Sequence, residues 1–261
     1  MSARTTAVLL DVQDTIARLA AGVRADRLLD VGCWDGSTTM RYAQACGAKR
    51  VFGVEYFPGP AESARSRGID VSELDLERGR LPHGSGTIDL VICNQVFEHL
   101  KNVFGVLGEI HRVLVVGGSF IVSMPNLASL HNRVLLALGA QPTSIRILGP
   151  HVRGFSYLHT KRFLTLNDLF EVTSERGCGF YPFSIGMGRW LARAFKSGAH
   201  TMVFHLTKTS HTGESWSEHI ARHGFQTVFL ENAALIEPVG TGRLSQANAS
   251  TNQNTGSAKA W

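Results

Sequence analysis

Val8, Leu9, Val12, Ile16 and Leu19 recur at helical spacing, so the chain is expected to open with an amphipathic helix. Short apolar runs then alternate with helical patterns. Arg27 to Val31 reads as a strand that stops at a glycine, and Ser37 to Cys46 as the helix after it. Arg50 to Val54 is a second strand, Gly59 to Arg67 a second helix and Ile69 to Leu74 a third strand. Ile88 to Cys93 suits the centre of a parallel sheet, where strands are buried on both faces. Phe104 to Leu114 is helical, and Ser119 to Ser123 is a strand closed by Met124-Pro125-Asn126. Leu127 to Leu138 looks helical until Gly139, Pro142, Gly149, Pro150 and Gly154 interrupt the pattern. Leu166 to Arg176 returns to helix, and Phe180 to Ile185 and Thr201 to Thr207 read as strands that close the sheet as an antiparallel pair.

This order predicts an α/β fold: a Rossmann-like, doubly wound, mostly parallel seven-stranded sheet with a lid inserted after the fifth strand. The expected organisation is an N-terminal helix over 1–24, a main domain over 25–208 with its lid at about 126–160, an extension over 209–237 and a tail over 238–261. In the extension, Ser215 to Phe229 reads as a helix followed by a strand. The tail is Asn, Ser, Thr, Gln, Gly and Ala, a composition expected to be disordered. Sheets of this kind bind ligands beyond the carboxyl ends of their strands, so the informative residues should follow each strand.

Composition narrows the function classes. With 44% apolar residues, 14 Phe and 4 Trp, the chain can bury a substantial core. A net charge of +5 suits an anionic ligand, but no dense basic tract with interleaved aromatics points to nucleic acid. Cys33, Cys46, Cys93 and Cys178 form no CxxC pair, so neither a metal site nor a disulfide framework is expected. No leader pattern and no apolar stretch of about 20 residues is present, so a cytoplasmic location away from membranes is expected.

The strongest chemical feature is Leu28-Leu29-Asp30-Val31-Gly32-Cys33-Trp34-Asp35-Gly36, a strand, a glycine turn and a helix start. Small residues let backbone approach a ligand closely. Asp30 can accept from an amine, and Asp35 or Ser37 can cap the helix that follows. Glu55 ends the second strand, where a carboxylate can grip ribose hydroxyls. Asp75 follows the third strand, placed to accept from an adenine amine while Leu76 packs on the ring. GxGxxG and GxxxxGK[ST] are both absent, which disfavours dehydrogenases and NTPases.

Together with Val51 to Tyr56, the segment from Ile88 to Leu100, Glu109 to Gly118 and Ser123 to Asn126, these pieces resemble class I S-adenosylmethionine-dependent methyltransferases over about residues 25 to 185. The Pro-Asn turn, the lid and His159 to Thr165 resemble the MetW-related branch. The resemblance implies S-adenosyl-L-methionine as cofactor. It implies a cofactor site of Asp30, Gly32, Cys33, Trp34, Gly36, Glu55, Tyr56, Asp75, Leu76, Asn94, Gln95 and Phe97, the last three beside the transferable methyl. One departure is Trp34, which stands where the family usually has glycine and can crowd the cofactor or point to solvent.

The acceptor side is less defined. His99 and His159 are the candidate bases, each with a structural alternative: a backbone hydrogen bond for His99, fastening of the lid for His159. Between Glu109 and Asp168 there is no acid, while Arg112, Arg133, Arg146, Arg153, Lys161 and Arg162 fall there. Arg146 and Arg153 are therefore expected to grip an anionic acceptor, or else to be a solvated basic surface. The favoured function is O-methylation of a sugar or secondary metabolite, free or carrier-bound. The alternative is a non-catalytic MetW-like partner of an acyltransferase.

Overall fold

The computed structural model describes residues 3–183 and 185–210. The extension and tail, with the helix and strand expected between Ser215 and Phe229, lie outside the described residues. The chain opens with α1 (Ala3–Ala20) and then alternates β1 (Arg27–Val31), α2 (Ser37–Cys46), β2 (Arg50–Glu55), α3 (Pro58–Ser66), β3 (Asp70–Glu73) and β4 (Ile88–Asn94). A short 3-10 turn at Phe97–His99 leads to α4 (Val103–Val113) and β5 (Leu114–Pro125). The lid region carries α5 (Leu130–Ala137) and α6 (Tyr157–Leu164), and the chain continues with β6 (Phe170–Cys178), α7 (Ile185–Ala194) and β7 (Thr201–Lys208).

The seven strands run in the order β3-β2-β1-β4-β5-β7-β6. β1 to β5 pair in parallel, and β7 lies antiparallel to both β5 and β6. Strand alternation sorts the core into two layers. Leu28, Leu90, Ile92 and Ile121 face α1 and α2 with Val12, Ile16 and Tyr42. Leu29, Val31, Val91, Cys93, Phe120 and Val122 face the other way, onto α4 and the Phe97 turn.

Two expectations need correction. Leu166 to Arg176 is not a helix: Leu166–Asp168 makes one 3-10 turn, and β6 follows. Asn167 and Asp168 both take positive φ, 57° and 53°, which halts a right-handed helix. Val172 and Thr173 then favour the extended chain that pairs with β7. The strand expected at Phe180 to Ile185 is a turn, in which Pro182 has no N–H to give a ladder. The chain enters α7 at Ile185, and the antiparallel pair is formed by β6 and β7 instead.

Candidate functional site

The strand order reverses direction between β1 and β4, and the carboxyl ends of β1 to β4 converge there. A cleft of 820 Å³ opens at this point, lined by residues that follow each of the four strands. Gly32 lies after β1, Glu55, Tyr56 and Phe57 after or at the end of β2, Asp75 and Leu76 after β3, and Asn94, Gln95 and His99 after β4.

Gly32 allows the turn out of β1. Its φ is +81°, and a Cβ there would lie 2.5 Å from the Val96 side chain. Trp34 also takes a positive φ, 49°, the backbone region where a glycine fits without strain. Its indole is 58% exposed and meets the Phe57 ring edge-on at 6.0 Å. The side chain therefore forms part of the rim, and the cleft remains open beside it. Asp35 organises the helix start: its carboxylate accepts from the Ser37 N–H and hydroxyl at 3.1 and 2.7 Å, while Gly36 occupies the N-cap.

Glu55 braces the rim. Its Oε2 accepts from the Trp34 N–H at 2.9 Å, and its Oε1 from the N–H groups of Tyr56 and Phe57 at 2.9 and 3.0 Å. A carboxylate offers about four lone-pair sites, so about one remains for a ligand hydroxyl. Asp75 accepts from the Glu77 N–H at 3.0 Å, with Arg78 3.9 Å from its second oxygen. Glu77 in turn holds the N–H groups of Lys101 and Asn102 at 2.6 and 2.9 Å, fixing the entry to α4. Beyond β4, Ser123 donates to the Asn94 side-chain oxygen at 2.6 Å and accepts from the Gln95 amide at 3.1 Å. Asn94 and Gln95 are thus oriented by the neighbouring strand.

Four residues expected at the site lie beneath it. Phe97 is fully buried, packed with Phe120 and Phe163. The Cys33 side chain packs with Ala61, Ala64 and Ile69. Gly36 serves packing: a Cβ there would lie 2.5 Å from Ile69. Asp30 points with Leu28 to the α2 side of the sheet, 2% exposed, and accepts from the Thr39 hydroxyl at 2.5 Å. The sequence reading missed Val54, Phe57, Leu74, Glu77, Val96, Leu100 and Pro150, which also line the cleft. Phe57 and Glu77 follow strands two and three closely enough to have been found by position. Pro150 is brought in by the lid.

Burial pushes Asp30 up from its ordinary 3.8 to about 7, partly offset by the Thr39 hydrogen bond, with the Glu55 charge adding to the rise. The unfolded chain ionises Asp30 near pH 4, and the folded chain only near 7. Rising pH across that window therefore favours the unfolded state, and the destabilisation is complete above 7. Asp30→Asn removes this dependence. In denaturant titrations, the stability of the variant relative to the native chain should rise from pH 4 to pH 7 by roughly 4 kcal/mol at most, then level off. A difference that is flat over this range would show that Asp30 is ionised in the fold.

Of the two candidate bases, His99 lines the cleft and His159 does not. His99 Nδ1 meets the Pro150 carbonyl at 3.2 Å, and burial lowers its pKa against the raising effect of that bond, with nearby His151 lowering it further. His159 is exposed and bonded to Ser156 at 3.0 Å. The lid is fastened at this end by the Val152 and Arg153 N–H groups, which donate to the Glu98 carbonyl at 2.9 and 3.2 Å. The Arg153 guanidinium donates to the Lys101 carbonyl at 2.6 Å, so it acts as a strut of the lid. Arg112 pairs with Glu109, Lys161 with Glu175, and Arg133 donates to the Ala128 and Ser197 carbonyls. Arg146 and Arg162 are exposed, and neither lines the cleft. Among the described residues, the cleft wall contains Glu55, Asp75 and Glu77 and no lysine or arginine. Its electrostatics favour a ligand that carries positive charge.

Residues 29–122 match a family described as a methyltransferase domain. A probable S-adenosylmethionine-dependent methyltransferase of Mycolicibacterium smegmatis is 33% identical over 112 residues, which cover 42% of this chain and 42% of that protein. The trans-aconitate 2-methyltransferase of Rhizobium rhizogenes is 31% identical over 105 residues, 40% of this chain and 40% of that protein. The matched region thus spans less than half the length of either relative. A solved SAM dependent methyltransferase from Archaeoglobus fulgidus superposes with a TM-score of 0.56 at 15% identity, covering 76% of this chain and 93% of that one. The fold is therefore the Rossmann-like methyltransferase fold, as the order of strands and helices implied.

Proposed function

We propose that this chain, which the 29–122 match and the fold group with the class I S-adenosylmethionine-dependent methyltransferase superfamily, transfers a methyl group from S-adenosylmethionine to a small or carrier-bound acceptor. The observation that carries this reading is the convergence of Gly32, Glu55, Asp75, Asn94 and Gln95 on one cleft. Its acidic wall suits a sulfonium cofactor with an attached amine. Glu55 keeps an acceptor for a ribose hydroxyl, and Asp75 and Leu76 stand together for a base edge and face. Bound there, the cofactor supplies the activated methyl, and the protein aligns the two reactants. Asn94 and Gln95 fix the methyl-donor end, and His99, exposed and held to the Pro150 carbonyl at the edge of the lid, stands on the acceptor side.

The acceptor is proposed to offer a hydroxyl or carboxylate oxygen, as in O-methylation of a sugar or secondary metabolite. Its negative charge is proposed from Arg146, which is exposed on the lid outside the cleft wall, and from the likeness to a relative named for trans-aconitate. The non-catalytic alternative rests on the MetW resemblance and, to a lesser degree, on Trp34; the cleft beside that side chain weakens only the second ground. Incubation with S-adenosylmethionine and a panel of hydroxy and carboxy acids is expected to release S-adenosylhomocysteine with at least one of them. Arg146→Ala should then raise KM for the anionic acceptor about fivefold, the loss of one partly exposed ion pair, at unchanged cofactor affinity. Equal KM values would leave Arg146 as a solvated surface charge.

A further inference from the structure

Glu98 sits under the lid, only 1% exposed, and among the described residues neither of its carboxylate oxygens has a hydrogen-bond partner. Leaving such a group without a partner is costly. One ligand atom from each of Glu98, His99 and His151 lies within 4.8 Å of the other two. The two imidazoles meet edge to face, 4.9 Å apart.

The tautomers follow from the carbonyls they touch. His99 Nδ1 faces the Pro150 carbonyl at 3.2 Å and His151 Nδ1 faces the Ser144 carbonyl at 2.7 Å. A carbonyl only accepts, so each Nδ1 carries the proton and each Nε2 keeps its lone pair. Metal-bound histidines characteristically donate their second ring nitrogen to just such a group, which fixes ring and tautomer.

We propose that Glu98, His99 and His151 form a binding site for a divalent first-row transition cation, completed when the lid brings His151 to the Phe97–His99 turn. Two imidazoles and one carboxylate suit zinc, iron or manganese better than magnesium, which prefers oxygen ligands. Ligand atoms about 2.1 Å from one ion lie roughly 3 to 4 Å apart, so the three groups need to close by about 1 Å. The cation would give the Glu98 carboxylate its missing partner and staple the lid to the body. His99 also lines the cleft, so open coordination positions there would take acceptor oxygens. That role rests on the methyltransferase reading, whereas cation binding itself does not. With Nε2 engaged by the ion, His99 orients the acceptor and does not take its proton.

The test is calorimetric titration of the chelator-treated full chain with Zn2+ and, separately, Mg2+. One site per chain for Zn2+ is expected, much tighter than any Mg2+ binding. His151→Ala and Glu98→Gln each remove a ligand and should each weaken it by at least about 100-fold, the upper end of what loss of a group that only supports a ligand costs. Circular dichroism and titration with S-adenosylhomocysteine without metal show whether each variant is folded, and whether the cofactor reading stands independently. Absence of a single Zn2+ site, equal binding of Mg2+, or unchanged Zn2+ affinity in both folded variants would overturn the proposal.

Discussion

Glu55→Ala is expected to weaken binding of S-adenosylhomocysteine by at least about 100-fold. The carboxylate accepts three backbone N–H groups, from Trp34, Tyr56 and Phe57, and keeps about one site for a ligand hydroxyl. Hydrogen bonds to a charged group contribute about 1.5 to 3 kcal/mol each. Loss of the ligand bond and of the brace on Trp34 together exceeds roughly 3 kcal/mol, about two powers of ten in affinity. Glu55→Gln keeps the shape but turns an amide donor toward backbone donors, so an intermediate loss of about tenfold is expected. Calorimetry on both variants, with thermal melts alongside, separates ligand contact from rim bracing. A rim that loosens without any loss of affinity would make Glu55 a brace alone.

Phe97→Ala should act on stability, lowering it by about 3 to 5 kcal/mol in denaturant titration, as large-to-small changes in aromatic cores do. Phe97 is fully buried and packs against Phe120 and Phe163 at ring separations of 6.5 and 6.2 Å. It supports the turn that carries Glu98 and His99 without reaching the cleft. Phe97→Leu keeps most of the volume and should remain folded, with cofactor affinity within about twofold of the native chain, since volume-conserving changes in cores are tolerated best. A large loss of affinity in Phe97→Leu, with stability intact, would place this side chain at the ligand.

The parallel half of the fold was legible because its strands are short apolar runs between helical patterns. The glycine turn was legible because Gly32 requires a conformation that other residues resist. β6 was missed because it is a half-exposed edge strand with alternating polar residues, and only its pairing with β7 makes it a strand. For the site, position after a strand located Glu55 and Asp75, and the resemblance added Asn94 and Gln95, but direction did not follow from position. Alternation puts Asp30 on the face of Leu28, but β1 is buried on both faces, so the sequence alone does not tell that this face packs on α2 and away from the cleft. The triad of Glu98, His99 and His151 was invisible for another reason: its third member comes from the irregular lid, whose path no periodicity encodes.

The most direct test of the central claim is calorimetric titration of the purified chain with S-adenosylmethionine and with S-adenosylhomocysteine. Micromolar binding of both at one site per chain, lost in Glu55→Ala, is the predicted result. No heat of binding from either molecule, with the chain folded by circular dichroism, would contradict it.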